Sequence, residues 1–142
     1  MNSPENDGIT HINVYSKGKT ELGRWLSNFA FTPVYLGNYG HFASIEGYWY
    51  WLTRQDERLR HLHGFAAKKL GRELPAVKEY EDGHFKDLIE SAIEVKIDSY
   101  PDKQEEFFNS TLPLDHYYVF GDKVVDAGHR WIIDYLEEIR NE

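Results

Sequence analysis

The sequence predicts an α+β fold: one compact domain in which several helices pack around a few short strands. Three observations carry this. Residues 85–100 and 127–142 hold apolar side chains at helical spacing. The stretches that read as strands or hairpins are short, at residues 11–16, 32–44 and 117–125. The chain of 142 residues fits one domain and shows no repeat, low-complexity tract or linker that would split it. Residues 1–10, "MNSPENDGIT", are polar and acidic and read as a flexible N-terminal tail, which leaves residues 11–142 as the domain.

Taken in order, "HINVYS" (11–16) alternates polar and apolar residues and reads as a strand. "KGKTELGRWLSNF" (17–29) reads as a long loop with one helical turn. "TPVYLGNYGHFAS" (32–44) reads as a hairpin turning at "GNYG", where Gly37 and Asn38 supply positive φ. Ser44 is placed to cap a helix that starts at Ile45, with Ile45, Tyr48, Trp49 and Leu52 on one face. "GFAAKKLGREL" (64–74) is a short helix with a weak break at Gly71, and "EYEDGHF" (79–85) is a solvated acidic turn. Residues 85–100 form the clearest helix, with Phe85, Leu88, Ile89, Ala92, Ile93 and Ile97 on one face. Pro101 ends it and opens the next. "YYVFGDKVV" (117–125) reads as a strand pair around Gly121 and Asp122, or as one short strand and a loop. The chain ends in an amphipathic helix with Trp131, Ile132, Tyr135, Leu136 and Ile139 inward.

Bulk chemistry narrows the function classes. There is no cysteine, which excludes disulfides and thiolate metal sites. No apolar run approaches the roughly 20 residues of a membrane span, so a cytoplasmic location is expected. A net charge of −8 repels polyanions and argues against a sliding nucleic-acid binder, while leaving room for a local basic pocket. Aromatic residues make up 15% of the chain, a supply that fits either a filled core or a cleft for flat ligands.

"FASIEGYWYWL" (42–52) sets one carboxylate, Glu46, in the most aromatic part of the chain. A carboxylate in the first helical turn is ordinary, because the helix dipole favours it there. Surrounded by rings it is also a candidate general base, or a partner for a cation developing on a sugar. "GRWLSNF" (23–29) offers Arg24 as a phosphate fork, Ser27 and Asn28 as short polar groups, and Trp25 and Phe29 as flat surfaces. On the residues alone, an irregular loop pinned by its own aromatics, with Asn28 in a turn, is the favoured reading. "AAKKLGRE" (66–73) clusters Lys68, Lys69 and Arg72, either as a solvated face or as an anion site. Phe120, Gly121 and Asp122 put a carboxylate at a sheet edge or simply in a turn. His61, His63 and His129 lack companions at metal-ligand spacing, and no serine elbow, P-loop or dinucleotide fingerprint is present. No metal and no cofactor are expected.

In order, "INVYS", "LSNFAFTPVYLGNYGHFASIEGYW", "AAKKLGR" and "FGD" before a C-terminal helix resemble the NADAR family, associated with NAD and ADP-ribose. The most specific part is "SNF" followed, 18 residues after Asn28, by the glutamate of "SIEGYW". The resemblance implies an N-glycosidase of α+β fold. Its substrates would be ADP-ribosylated groups, such as ADP-ribosyl-guanine in nucleic acid, or related ribosyl phosphates. The two motifs look most like those of phage-encoded members, which implies a role against host defence in the host cytoplasm. It places the catalytic carboxylates at Glu46 and Asp122. It carries ligand contacts to Ser27, Asn28, Phe29, Tyr48, Arg72, Phe120 and Gly121; by their own chemistry Trp25 and Trp49 are added as base-stacking surfaces and Arg24 as a pyrophosphate fork, and His129 is added from the altered C-terminal motif. Leu52 and Thr53 stand where many members carry a basic residue, and "DAGHRW" (126–131) stands where they carry a glycine-rich motif. Those departures keep open a module that binds ADP-ribose or NAD-type nucleotides without cleaving them.

Overall fold

A computed structural model describes residues 2–142. It is a mixed α+β protein with six α-helices and six short strands among the described residues. The chain divides into two units, residues 28–100 and residues 1–27 with 101–142.

The first unit opens on a hairpin, β2 (Val34–Tyr35) paired antiparallel to β3 (His41–Phe42). The turn is one 3-10 turn, Gly37–Tyr39, with positive φ at Gly37 and Gly40 and not at the expected Asn38. Arg60 clamps this hairpin. Its guanidinium donates to the Tyr39 and His41 carbonyls and lies 4.5 Å from the centre of the Phe42 ring and 4.7 Å from that of Trp51. Helix α2 (Ile45–Arg54) follows, then a 3-10 turn (Glu57–His61), α3 (Gly64–Glu73) and α4 (Asp82–Ser99). Ile45, Tyr48 and Leu52 of α2 are buried, as the helical spacing predicts, while Trp49 is half-buried. Helix α4 starts three residues earlier than expected and absorbs part of the acidic turn.

Gly71, expected as a weak break, lies inside α3. A Cβ there would fall 2.1 Å from Tyr50 Cγ, so this glycine is where α3 presses its backbone onto α2. Gly47 does the same nearer the start of α2, where a Cβ would run into the Leu59 carbonyl oxygen. Arg54 ties the two helices further by donating from Nε to the Gly71 carbonyl at 2.9 Å.

The second unit pairs β1 (Ile12–Asn13) in parallel with β4 (Leu114–Asp115) and carries the hairpin of β5 (Tyr117–Phe120) and β6 (Lys123–Asp126). The Asn13 side chain exchanges two 3.0 Å hydrogen bonds with the Tyr117 peptide, which extends the pairing through an amide. Helices α1 (Glu21–Leu26), α5 (Pro101–Asn109) and α6 (Arg130–Arg140) complete it, with Ile132, Ile133, Leu136 and Ile139 of α6 buried. Trp131 and Tyr135, expected inward, are half-buried, and Ile133 takes the core position. In the segment read as a tail, residues Pro4–Asn6 form a 3-10 turn and Asp7 is buried. The Asp7 carboxylate accepts from the Asn13 and Lys19 backbone N–H groups at 3.0 and 2.9 Å. No helix is long and apolar enough to cross a membrane among the described residues.

Candidate functional site

Glu46 occupies the first turn of α2. Ser44 caps that helix: the Gly47 N–H donates to its Oγ at 3.0 Å, and the hydroxyl donates to the Leu62 carbonyl at 2.8 Å. The Glu46 N–H, one of the donors a helix start leaves over, goes to the Asn28 carbonyl at 2.9 Å. The two sequence motifs, 18 residues apart, are therefore joined by a backbone hydrogen bond. One residue on, the Phe29 carbonyl accepts from the Gly64 N–H at 3.0 Å, which fixes the start of α3 against the same loop.

Helix α3 brings cations to this place. Lys68 Nζ sits 5.8 Å from the Phe29 ring centre, and the charges of Lys68 and Arg72 both act on Glu46. Burial pushes the Glu46 carboxyl up to about 7, and Lys68 and Arg72 pull against that rise. The group therefore changes charge near neutrality, the range in which a side chain exchanges protons most effectively with a reacting centre. Lys68 belonged to the basic cluster of the sequence but not to the expected ligand contacts, which named only Arg72 from it. The signal was its spacing, one turn before Arg72 on the same helical face.

Of the expected site residues, Asn28, Phe29, Glu46 and Arg72 gather in the first unit. Trp49, one turn beyond Glu46, is half-buried and meets Phe85 edge-on at 4.9 Å. Tyr48 is a correction. It is 2% exposed and packs its ring on Phe42 and Tyr39, with centroids 5.0 and 5.8 Å apart. Two residues along a helix point about 200° apart, so Tyr48 serves the core side of α2 and not the Glu46 side. Thr53 is engaged in structure: its carbonyl accepts from Val77 and Lys78, and its hydroxyl accepts from Arg54.

The remaining residues lie in the second unit. Arg24 is exposed and donates to the Gly18 carbonyl at 2.7 Å, while Trp25 and Ser27 are buried. Phe120 is exposed at the end of β5. Gly121, with φ of 60°, and Asp122 form the exposed turn to β6. His129 precedes α6 in the left-handed region, with φ of 50°. Among the described residues no cluster of three His, Cys, Asp or Glu side chains could hold a metal ion.

No protein-family model matches the chain, and no curated protein matches it by sequence. Among solved structures it is similar to the NMR structure of the E. coli protein YbiA, with a TM-score of 0.68 and 19% identity. That likeness covers 99% of this chain and 92% of the YbiA chain. At this identity it is the architecture that is shared, and by fold this chain is a YbiA-like α+β protein.

Proposed function

We propose that the protein is a hydrolase of N-glycosidic bonds, acting on a ribose–base bond in ADP-ribosylated or related ribosyl phosphate substrates. The observation that carries this reading is Glu46: a desolvated carboxylate, charged and uncharged in comparable amounts near pH 7, beside two cations on one helix. The sequence resemblance to the NADAR family and the YbiA-like fold support it.

In such a reaction the C1–N bond breaks and its electron pair leaves with the base. Positive charge develops on the ribose ring, and ionised Glu46 stabilises it at close range. A water molecule adds to C1, and the same carboxylate takes the proton that the water loses. The departing base gains a proton from solvent, so base and free ribosyl group are the products. Lys68 and Arg72 hold the phosphates, where a guanidinium fork and an ammonium give charge-assisted hydrogen bonds.

The test is a turnover screen by mass spectrometry with ADP-ribosylated guanosine, NAD and ribosylamino-pyrimidine phosphates. The native chain is expected to release a free base from one of them. Glu46→Gln keeps the shape and should lower the rate by at least 100-fold, the scale of losing a charge-stabilising or proton-accepting group. A second reading follows from Thr53, which is committed to backbone and Arg54 contacts where many NADAR members carry a basic residue. It is a module that binds the same ligand without cleaving it. Saturable binding with no product would favour it.

A further inference from the structure

Tyr50 and Arg54 share the Glu46 face of α2, one and two turns further on. Both meet α3 at Gly71. The Tyr50 ring occupies the space of a Cβ at Gly71, and the Arg54 guanidinium sits 5.6 Å from the centre of that same ring. Arg54 Nε donates to the Gly71 carbonyl at 2.9 Å in a part-buried bond, while Nη1 donates to the Thr53 hydroxyl at 2.9 Å. Helix α3 is therefore pinned at both ends: its start by the Gly64 N–H on the Phe29 carbonyl, its last turn by Arg54. Lys68 lies between the two pins, and Arg72 lies beside the second.

Those two side chains are the charges that act on Glu46. The other cations around α2 are engaged elsewhere. Lys69 of α3 pairs with Glu73, Arg58 of the 3-10 turn with Asp56, Arg60 with Glu57, and Lys86 of α4 with Asp82, while the His41 ring of β3 lies against Tyr35. Arg54 itself is too far along α2 to act strongly on Glu46, because eight residues of helix rise about 12 Å. We propose that Arg54 is a positioning residue for Glu46: through Gly71 it clamps the last turn of α3 onto α2 and so keeps Arg72 and Lys68 beside the carboxylate. Without the clamp that turn is free to draw back, and a carboxylate that loses its cations holds its proton more tightly. The consequence for catalysis rests on the glycosidase reading above; the consequence for Glu46 does not.

Two substitutions separate the bond from the charge. Arg54→Gln puts an N–H donor at the same place along the side chain as the arginine Nε, so it keeps the bond to Gly71 and drops the charge. Arg54→Met removes both. The experiment is an NMR pH titration of the full chain with isotope-labelled glutamate side chains, the Glu46 signal being assigned by its loss in Glu46→Gln. It reads the carboxyl directly and needs no substrate. Arg54→Met should raise the Glu46 midpoint by roughly half a pH unit or more, and Arg54→Gln should leave it at the native value. Equal rises in both variants would make the charge the agent and overturn the clamp. An unmoved midpoint in Arg54→Met, with only a lower urea midpoint, would overturn it too and leave Arg54 a plain structural tie. If circular dichroism shows that Arg54→Met does not fold, Arg54→Lys takes its place: it keeps stem and charge, sets a methylene where the donor was, and should raise the midpoint likewise. Under the glycosidase reading the kcat/KM profile moves with the NMR midpoint in each variant. Failure of that reading looks different: no substrate is hydrolysed, yet the contrast between Arg54→Met and Arg54→Gln persists.

Discussion

At Glu46 two opposing influences decide the chemistry. Burial alone drives the carboxyl to its neutral form, and Lys68 and Arg72 restore part of the charge. Lys68→Met removes one restoring charge. It should move the midpoint of the pH–rate profile upward and weaken ribose 5-phosphate binding, both readable from kinetics and calorimetry. An unmoved midpoint would show that Lys68 does not sense Glu46. The same burial has a stability consequence. The folded-state value near 7 lies above the ordinary 4.5, so the folded chain holds a proton between those values that the unfolded chain has lost. Glu46 is therefore harmless below about pH 4.5 and increasingly destabilising as pH rises to 7. The full cost is roughly 3 kcal/mol above that. Glu46→Gln should be more stable than the native chain at pH 8 and equal to it at pH 4, by urea denaturation. The candidate carboxylate was legible because a charge inside an aromatic run is conspicuous. Tyr48 came to the ligand contacts through the family motif, although its helical spacing with Ile45 and Leu52 already set it on the core face.

Among the elements, the α2–α3 pair carries the site, and its closeness depends on glycine. Gly71→Ala improves helix propensity by up to about 1 kcal/mol. Against that, its methyl group would collide with the Tyr50 ring at 2.1 Å. Overpacking of this kind costs about 1–3 kcal/mol and moves α3. We expect a net loss of stability together with weaker ligand binding, because Lys68 and Arg72 ride on α3. Unchanged stability would mean that the helices separate freely. Ser44→Ala removes both the cap and the bond to Leu62, at a cost of about 1–2 kcal/mol, read as a lower urea midpoint. The cap at Ser44, the proline start at Pro101 and the hairpin at residues 117–126 were legible because each is set by local backbone chemistry. Gly71 was not, because a glycine that ends a helix and one that admits a neighbouring ring look alike in one dimension. The pairing of β1 with β4 was equally hidden, since about a hundred residues separate Ile12 from Leu114.

For the whole molecule, two ionisable groups of the 28–100 unit, Glu46 and Lys96, set how stability changes with pH. Lys96 of α4 is 2% exposed, and burial lowers its ammonium to about 7. Its sign is opposite in range: the penalty is full below pH 7 and is relieved as pH rises toward 10.5. Lys96→Met should flatten the rise in stability that the native chain shows between pH 7 and 10, measured by urea midpoints. A rise of the same size in both chains would contradict it. The other unit depends on its first residues. Asp7→Ala leaves the buried Asn13 N–H without its acceptor, at about 1–3 kcal/mol, and also frees the part-buried Lys19 N–H, which water can reach. Nothing in "MNSPENDG" signals that role, because its partners are backbone atoms up to 12 residues downstream. The charge of −8 remains a whole-chain property on which the Lys68–Arg72 face is a local exception.

The central claim is that ionised Glu46 does chemistry, and the pH dependence of kcat/KM tests it most directly. Hydrolysis by the native chain should rise about tenfold per pH unit in the acid range and level off above about 7, where Glu46 is charged. Glu46→Gln should be slow and flat across the same range. A native profile that is flat through pH 7, or a Glu46→Gln chain that keeps the native rate, would contradict the account.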